Sequence, residues 1–301
     1  MTCPTLITRC KKHLKLVKLA LFVCGFLLTK SFCEDKTKGF TFTSIDRDIP
    51  YDPLLKPPLE FTDTNHILSQ PFSFLDRGGQ SYVLISHDQK TVLKFFKKQY
   101  NVPDSLIQTI DTLLPTSLKK YRFEFLKTRK ERFYPIFESC QIAEDYLSEE
   151  TGIIYLHLNP TTTLPLLTVI DNLGIYHKVN LNTTSFLLQK KGERIFNKIE
   201  ELKAIGDIDG TKRLIRNVFN YINKRSEKGI RDLDNGLKRN YGYIGSEALS
   251  LDIGSFTLDD TLKDPLIRQE ELERKTKQLG QWLAESYPEL LPYFEEQLHK
   301  Q

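Results

Sequence analysis

Gly229-Ile-Arg-Asp-Leu-Asp-Asn-Gly-Leu-Lys-Arg-Asn-Tyr-Gly-Tyr243, followed by Leu251-Asp-Ile-Gly-Ser-Phe256, gathers acidic and amide side chains of the chain's second half in two short turns. It sets Asp232, Asp234 and Asn240 in a turn-rich loop and a further aspartate, Asp252, just ahead of Gly254. Carboxylate and amide oxygens suit Mg²⁺, a hard cation that keeps several waters and is bound through few protein groups. Asp234, Asn240 and Asp252 could together hold a metal-bound phosphate. A calcium loop beginning at Asp232 fails, because its twelfth position is Tyr243 rather than Glu. Taken alone, Asp232-Leu-Asp-Asn-Gly236 reads as a solvated turn, so its meaning depends on what precedes it.

Upstream, residues 69 to 98 read as strands. Phe72 to Leu75 leads into Asp76-Arg-Gly-Gly-Gln-Ser81. Tyr82-Val-Leu-Ile-Ser86 and Thr91-Val-Leu-Lys-Phe-Phe96 then flank a short polar turn and make a hairpin. Gly78 and Gly79 let the backbone approach a ligand, and the amides of Gly78, Gly79, Gln80 and Ser81 could face a phosphate. Lys94 lies in an otherwise apolar strand, where an isolated ammonium is costly unless paired or exposed. Alternation places it on the same face as Val92.

A helical section is expected from about Ser105 to Glu150, with Pro135 in the first turn of its later helix. Ile136, Cys140, Ala143 and Leu147 form its core stripe, and Gly152 caps its end. Glu138 or Glu144 of this helix could pair with Lys94. Strands return at 153–158, 166–170, 175–179 and 186–189. Asn182-Thr-Thr matches a glycosylation sequon by pattern only. From Lys190-Lys-Gly192 onward the periodicity is helical, with stripes at Ile195, Ile199 and Leu202 and at Leu214, Val218, Tyr221 and Ile222. Two amphipathic helices fill Pro265 to Gln301, divided near Tyr287-Pro288.

Only after this order is assembled does a resemblance emerge. The chain resembles the protein-kinase-like superfamily over about residues 69 to 256. A glycine turn between strands precedes Val92-Leu-Lys94, which is similar to the Val-Ala-Ile-Lys strand of kinases. A helix with candidate glutamates, more strands and a helical part follow. Then come a loop with Asp234 and Asn240 and a Leu251-Asp-Ile-Gly254 segment that looks like Asp-Phe-Gly. The resemblance implies an α+β, two-lobed protein-kinase-like fold, with a β-rich N-lobe over 69–190 and a small helical C-lobe over 191–301. It implies that Lys94 and the glycine turn bind the phosphates of ATP, Asn240 and Asp252 hold Mg²⁺, and Asp234 (or Asp232) orients the attacking hydroxyl.

The chain also departs from that pattern. The full Gly-x-Gly-x-x-Gly is missing. Ile230-Arg-Asp232 replaces His-Arg-Asp. Asn240 follows Asp234 by six residues and Asp232 by eight, where five is usual; Asp234 needs the smaller insertion. No Ala-Pro-Glu follows, and the 49 residues after Asp252 are few for a peptide-substrate platform. The expected function is a nucleotide- and Mg-binding phosphotransferase of unknown substrate. The alternative is a catalytically inactive relative that acts as a binding module for a protein partner. The chain is also similar to exported proteins of chlamydia-type intracellular bacteria.

The first 33 residues stand apart. Five basic residues lead into Leu19-Ala-Leu-Phe-Val-Cys-Gly-Phe-Leu-Leu28, an apolar run that suits a signal-peptide core better than a span of about 20 residues. A cleaved signal, a signal-anchor over 14–30 and a lipid-modified Cys33 are the readings, in that order. The protein is thus expected to be secreted, periplasmic or held at a membrane. Compartments outside the cytoplasm hold little ATP, which strengthens the binding-module alternative. Residues 34–68, with Ile49-Pro-Tyr-Asp-Pro53 and Lys56-Pro-Pro58, read as an extended linker. Four of the five cysteines lie in the leader, leaving only Cys140 and no internal disulfide in the remainder. Without the leader's six basic residues the charge is 37 basic against 39 acidic, so nothing global points to nucleic acid. Histidines are scattered, and His157 and His177 fit core or surface strand positions rather than metal ligation.

Overall fold

The computed structural model describes residues 4–58, 64–98 and 129–300, with isolated positions between 109 and 117; side chains of the first helix are described from residue 17 onward. That helix, α1, runs unbroken over Pro4–Lys36. A seven-stranded sheet follows. Its strands are β1 Phe72–Arg77, β2 Ser81–Ser86, β3 Thr91–Phe96, β4 Ile153–His157, β5 Leu166–Ile170, β6 Tyr176–Asn180 and β7 Phe186–Lys190. They lie in the order β4-β7-β3-β2-β1-β5-β6. All neighbours are antiparallel except β1 and β5, which run parallel. The expected hairpin is β2–β3, with Val83 opposite Lys94. One face buries Phe72, Leu84, Leu93, Phe95 and Leu188 in a core beneath the sheet.

The opposite face of β3 receives helix α2, Arg129–Tyr146. Its stripe of Ile136, Cys140, Ala143 and Leu147 is buried, as periodicity required. Pro135 lies inside this helix and not in its first turn. The expected start of the helical section, near Ser105, lies outside the described residues. Gly152 takes the left-handed conformation, φ 64°, that ends the short turn Ser148–Thr151.

The second part is built on α3 Ile195–Ala204, α4 Ile208–Glu227, α5 Pro265–Ser286 and α6 Leu291–His299, around a core that includes Ile199, Val218, Phe219, Leu272, Leu283 and Phe294. Two small sheets are inserted. The strand β8 Glu193–Arg194 pairs with β10 Tyr241–Ile244, which pairs with β11 Glu247–Ser250. β9 Ile230–Asp232 pairs with β12 Phe256–Leu258, bringing Asp232 opposite Phe256. Both segments quoted at the outset are therefore neighbours in space. The α+β arrangement, a β-rich first part and a helical second part, is the one expected.

The linker expectation needs correction. Residues 37–58 bury Phe40, Ile45, Ile49 and Leu55. Ile45 bridges Lys97, Arg47 bridges Thr184, and Ser185 donates to Asp46 at 2.7 Å. Asn159 holds the main chain of Asp52 and Leu55. Prolines restrict this segment to an extended path, but its apolar side chains convert that path into a strap laid across the sheet.

Candidate functional site

Strand alternation decides how Lys94 is placed. Leu93 and Phe95 enter the core, so Lys94 emerges on the face covered by α2. Its ammonium end is enclosed and donates to the main-chain carbonyl of Leu251. Burial lowers its pKa, and the charge of Asp252 and the Cys140 thiol work against that. Burial pushes the Cys140 thiol itself up to about 12, so it remains protonated and unreactive as a nucleophile.

Neither expected glutamate meets Lys94. Glu138 is exposed, on the outer side of α2. Glu144 is half-buried near Asp145 and Lys56, and burial pushes its carboxyl up to about 7. Among the described residues neither forms an ion pair with Lys94. The α2 residue facing the lysine is Cys140, which sequence reasoning had assigned to the core stripe alone. Both are correct, because the stripe also walls the cleft.

The glycine turn covers the same cleft. Gly78 N–H donates to Ser81 O at 2.9 Å, which uses one of the amides expected for a phosphate. Lys97 donates to the carbonyls of Gly78 and Gly79 and lies 5.0 Å over the Tyr82 ring. Gln80 reaches across to Gly254 so closely that a Cβ on that glycine would overlap Gln80 Oε1. The half-open space, lined by Ser81, Lys94, Cys140 and Asp252 among others, has a cavity volume of about 20 Å³. That is room for about one water.

Asp252 is exposed and accepts from Gly254 N–H at 3.2 Å. Its segment is fastened on two sides. Leu251 and Asp252 N–H both donate to Asn240 O, at 2.7 and 3.4 Å. Ser139 of α2 donates to Ile253 O and accepts from Phe256 N–H. Asn240 and Asp252 are thus joined through the main chain, twelve positions apart in sequence. Asn240 is buried, and its Nδ2 has no hydrogen-bond partner. A buried amide with an unused polar end beside the Asp252 segment is a group whose Oδ1 could serve a cation. One amide oxygen and one exposed carboxylate fit Mg²⁺, which takes its other ligands from phosphates and water.

The two loop aspartates separate cleanly. Asp232 is buried and saturated. Its Oδ1 accepts from Ser255 at 2.7 Å and from Asp234 N–H at 3.0 Å. Its Oδ2 is 2.8 Å from Lys275 Nζ, with Arg225 at 3.5 Å and Tyr241 OH at 3.4 Å. No acceptor capacity is left for an incoming hydroxyl. Asp234 is half-buried and accepts Gly236 N–H at 2.8 Å. Burial raises its pKa, but the Asn240 amide, the Gly236 N–H and the charges of Lys275 and Arg239 outweigh this, so the group stays ionised.

Sequence reasoning missed a buried charge network beneath this loop. Glu271 and Arg225 are fully buried and paired at 2.8 Å, and Glu271 also receives Arg231 at 3.2 Å and Arg274. Each residue looked like an ordinary helix or loop charge, and only the packing of α4 against α5 brings them together. Among the described residues no cluster of three or more His, Cys, Asp or Glu is arranged to hold a metal. The sequon is also accounted for: Asn182 Nδ2 donates to Leu164 O at 2.9 Å and its Oδ1 accepts Leu164 N–H, so this amide is a structural clasp.

No protein-family model matches the chain, and no curated protein matches it. Among solved structures it is similar to WbdD, described as a bifunctional kinase-methyltransferase. In one structure of that protein the TM-score is 0.38 at 13% identity, over 76% of this chain and 46% of the other. A second gives 0.35 at 14% over 72% and 42%, and a co-crystal with the kinase inhibitor LY294002 gives 0.33 at 13% over 74% and 45%. The chain therefore spans less than half of those proteins. Scores of this size carry no residue role across, and the kinase-like description rests on how this chain's own elements are ordered and placed. The likeness to exported chlamydia-type proteins receives no support from these comparisons.

Proposed function

We propose that the cleft between β3, α2 and the Asp252 segment is the phosphate end of a nucleotide site, and that the protein is a kinase-like phosphotransferase acting on a still undefined acceptor. The observation that carries this reading is the convergence of four residues scattered over the sequence. Lys94 and Asp252 line one cleft, Asn240 is joined to Asp252 through its main-chain carbonyl, and Asp234 lies beside the Asn240 amide. Lys94 would neutralise phosphate charge, exchanging its bond to Leu251 O for a phosphate oxygen. Asn240 and Asp252 would hold Mg²⁺, which when bound would offset charge on the phosphates. Asp234, ionised and accessible, would orient an acceptor hydroxyl and take its proton. Asp232 supports the loop instead of reacting.

A nucleotide needs a cleft of several hundred Å³. The 20 Å³ cavity therefore corresponds to a closed form, with Gln80 resting on Gly254. That closure also favours a second reading, in which the fold serves as an interaction module and transfers nothing. Thermal unfolding of the full chain with ATP, with and without Mg²⁺, tests the first reading. A Mg²⁺-dependent rise in Tm that Lys94→Ala and Asp252→Ala each abolish supports it. No rise, or the same rise in both variants, sinks it. A rise without any phosphoryl transfer favours the interaction module.

The N-terminal reading stands as a further part of this proposal. No described helix is long and apolar enough to cross a membrane. On α1, however, Leu21, Phe22, Phe26 and Leu28 are all exposed. These side chains and the basic lead support targeting to, or attachment at, a membrane. Retention of full-length protein in a carbonate-washed membrane fraction would support anchoring, whereas loss of the first 33 residues from the exported protein would support a cleaved signal.

A further inference from the structure

Helix α5 reaches the Asp234 loop from below with two successive cations. Lys275 is fully buried, 2.8 Å from Asp232 Oδ2, and donates to the main-chain carbonyl of Asp234. Arg274 donates to the carbonyl of Asp232 at 2.8 Å and to Asn235 Oδ1. One turn on, Gln278 Oε1 accepts from Lys238 N–H at 3.1 Å. A single helix face thus fixes the loop at residues 232, 234, 235 and 238. Within the loop Asp232 accepts Asp234 N–H and Asp234 accepts Gly236 N–H, while Leu233 N–H and the Ser255 hydroxyl tie the loop's first residues to the Asp252 segment. Among the described residues, the hydrogen bonds that reach residues 234 and 235 from outside the loop come from α5.

Burying an ammonium is a poor way to gain stability, since an apolar replacement for a buried ion pair is often neutral or better. What a buried cation supplies here, and a leucine would not, is a donor aimed at the main-chain carbonyl of Asp234, the half-buried acid beside Asn240. We propose that Lys275, assisted by Arg274, is the positioning residue for Asp234, holding that carboxylate at the working distance from the phosphate end of the cleft. The assignment rests on the reading of Asp234 as the hydroxyl-orienting group. It makes α5 part of the site's framework, although no α5 side chain touches the cleft. Lys275 also contributes to keeping Asp234 ionised.

The test compares full-chain Lys275→Met with Lys275→Gln, which keeps a neutral donor. Leu279→Ala is the control, removing buried core packing one turn along the same helix. Amide exchange is read at residues 233–238 and across α4 and α5. Mg·ATP turnover, with water as acceptor, is read in parallel. Lys275→Met should speed exchange at 233–238 while α4 stays protected. It should lower kcat about 100-fold with KM for ATP nearly unchanged, the scale of a misplaced catalytic group. Lys275→Gln should recover part of both, and Leu279→Ala should show neither pattern at a comparable loss of Tm. Uniform loss of protection in Lys275→Met, or behaviour identical to Leu279→Ala, would overturn the proposal. A wild type with neither turnover nor a Mg·ATP shift would overturn the reading of the site, and local exchange would still decide whether Lys275 fixes the loop.

Discussion

Asp232 and Asp234 are two positions apart and have opposite surroundings. Every lone pair of Asp232 that the fold can reach is taken, and two buried cations, Arg225 and Lys275, depend on its charge. Truncating one partner of such a cluster strands the others. Asp232→Ala should therefore cost about 3–5 kcal/mol, read from denaturant midpoints. Asp234→Asn should leave stability within about 1 kcal/mol, because the residue is half-buried and Asn can still accept the Gly236 N–H. It should nonetheless abolish phosphoryl transfer, and unchanged transfer in this variant would remove Asp234 from the mechanism. His157 provides a pH prediction. It is fully buried, with Nδ1 2.8 Å from Thr184 O and Nε2 3.1 Å from Thr161 Oγ1, and burial pushes its pKa down to about 4 from 6.5. The unfolded chain binds this proton below 6.5 and the folded chain only near 4. Stability is thus full above 6.5 and falls as the pH drops through that window, by up to about 3 kcal/mol. In His157→Gln the part of the acid slope between pH 6.5 and 4 should flatten.

At the scale of elements, the glycine turn and the Asp252 segment form a latch. Gln80 lies on Gly254, and Lys97 ties the carbonyls of Gly78 and Gly79 back toward Tyr82. Opening requires Gln80 to leave Gly254. Gln80→Ala should therefore raise affinity for Mg·ATP, measured by calorimetry, because the closed form competes with the ligand for the same space. Equal or weaker binding would show that the contact is not a latch. Helix α2 is coupled to the same segment by Ser139, which both donates and accepts across the interface. Ser139→Ala should lower stability by about 1–3 kcal/mol, since it leaves Phe256 N–H buried and unpaired. Among the described residues neither Glu138 nor Glu144 pairs with Lys94, and α2 reaches the site by packing and through Ser139.

Across the whole molecule, the strap of residues 37–58 joins the sheet to α2. Tyr134 of α2 donates to Asp52, and Lys56 pairs with Asp145. Described side chains of α1 are exposed up to Lys36. Removing residues 1–33 should therefore leave Tm nearly unchanged. Removing 1–58 takes away four buried apolar side chains, each worth about 1.5–3 kcal/mol, and should abolish cooperative unfolding. Equal melting of both truncations would show that the strap contributes nothing.

Much of this arrangement was legible because local pattern and tertiary environment agree. The alternation in Tyr82–Ser86 and Thr91–Phe96, the three-and-four spacing of Ile136, Cys140, Ala143 and Leu147, and the break at Tyr287-Pro288 follow from strand and helix periods, and the elements formed there. Other features were not written locally. Prolines signalled extended chain at 49–58 but not whether it would be free or packed. The spacing to Asn240 made Asp234 the nearer match without revealing that Asp232 is saturated. Two glutamates on α2 were compatible with Lys94, and only the rotation of the helix showed that Cys140 faces it. Sequence alone determined the strands of the seven-stranded sheet and the longer helices that follow it, and made Lys94, Asn240 and Asp252 candidates, because backbone period and side-chain chemistry are local properties; the short strands β8 to β12 were not among its expectations. Tertiary structure alone decided which acid is free, what holds the loop and how the cleft is closed, because burial, ion pairing and main-chain contacts join residues that the sequence keeps up to 157 positions apart.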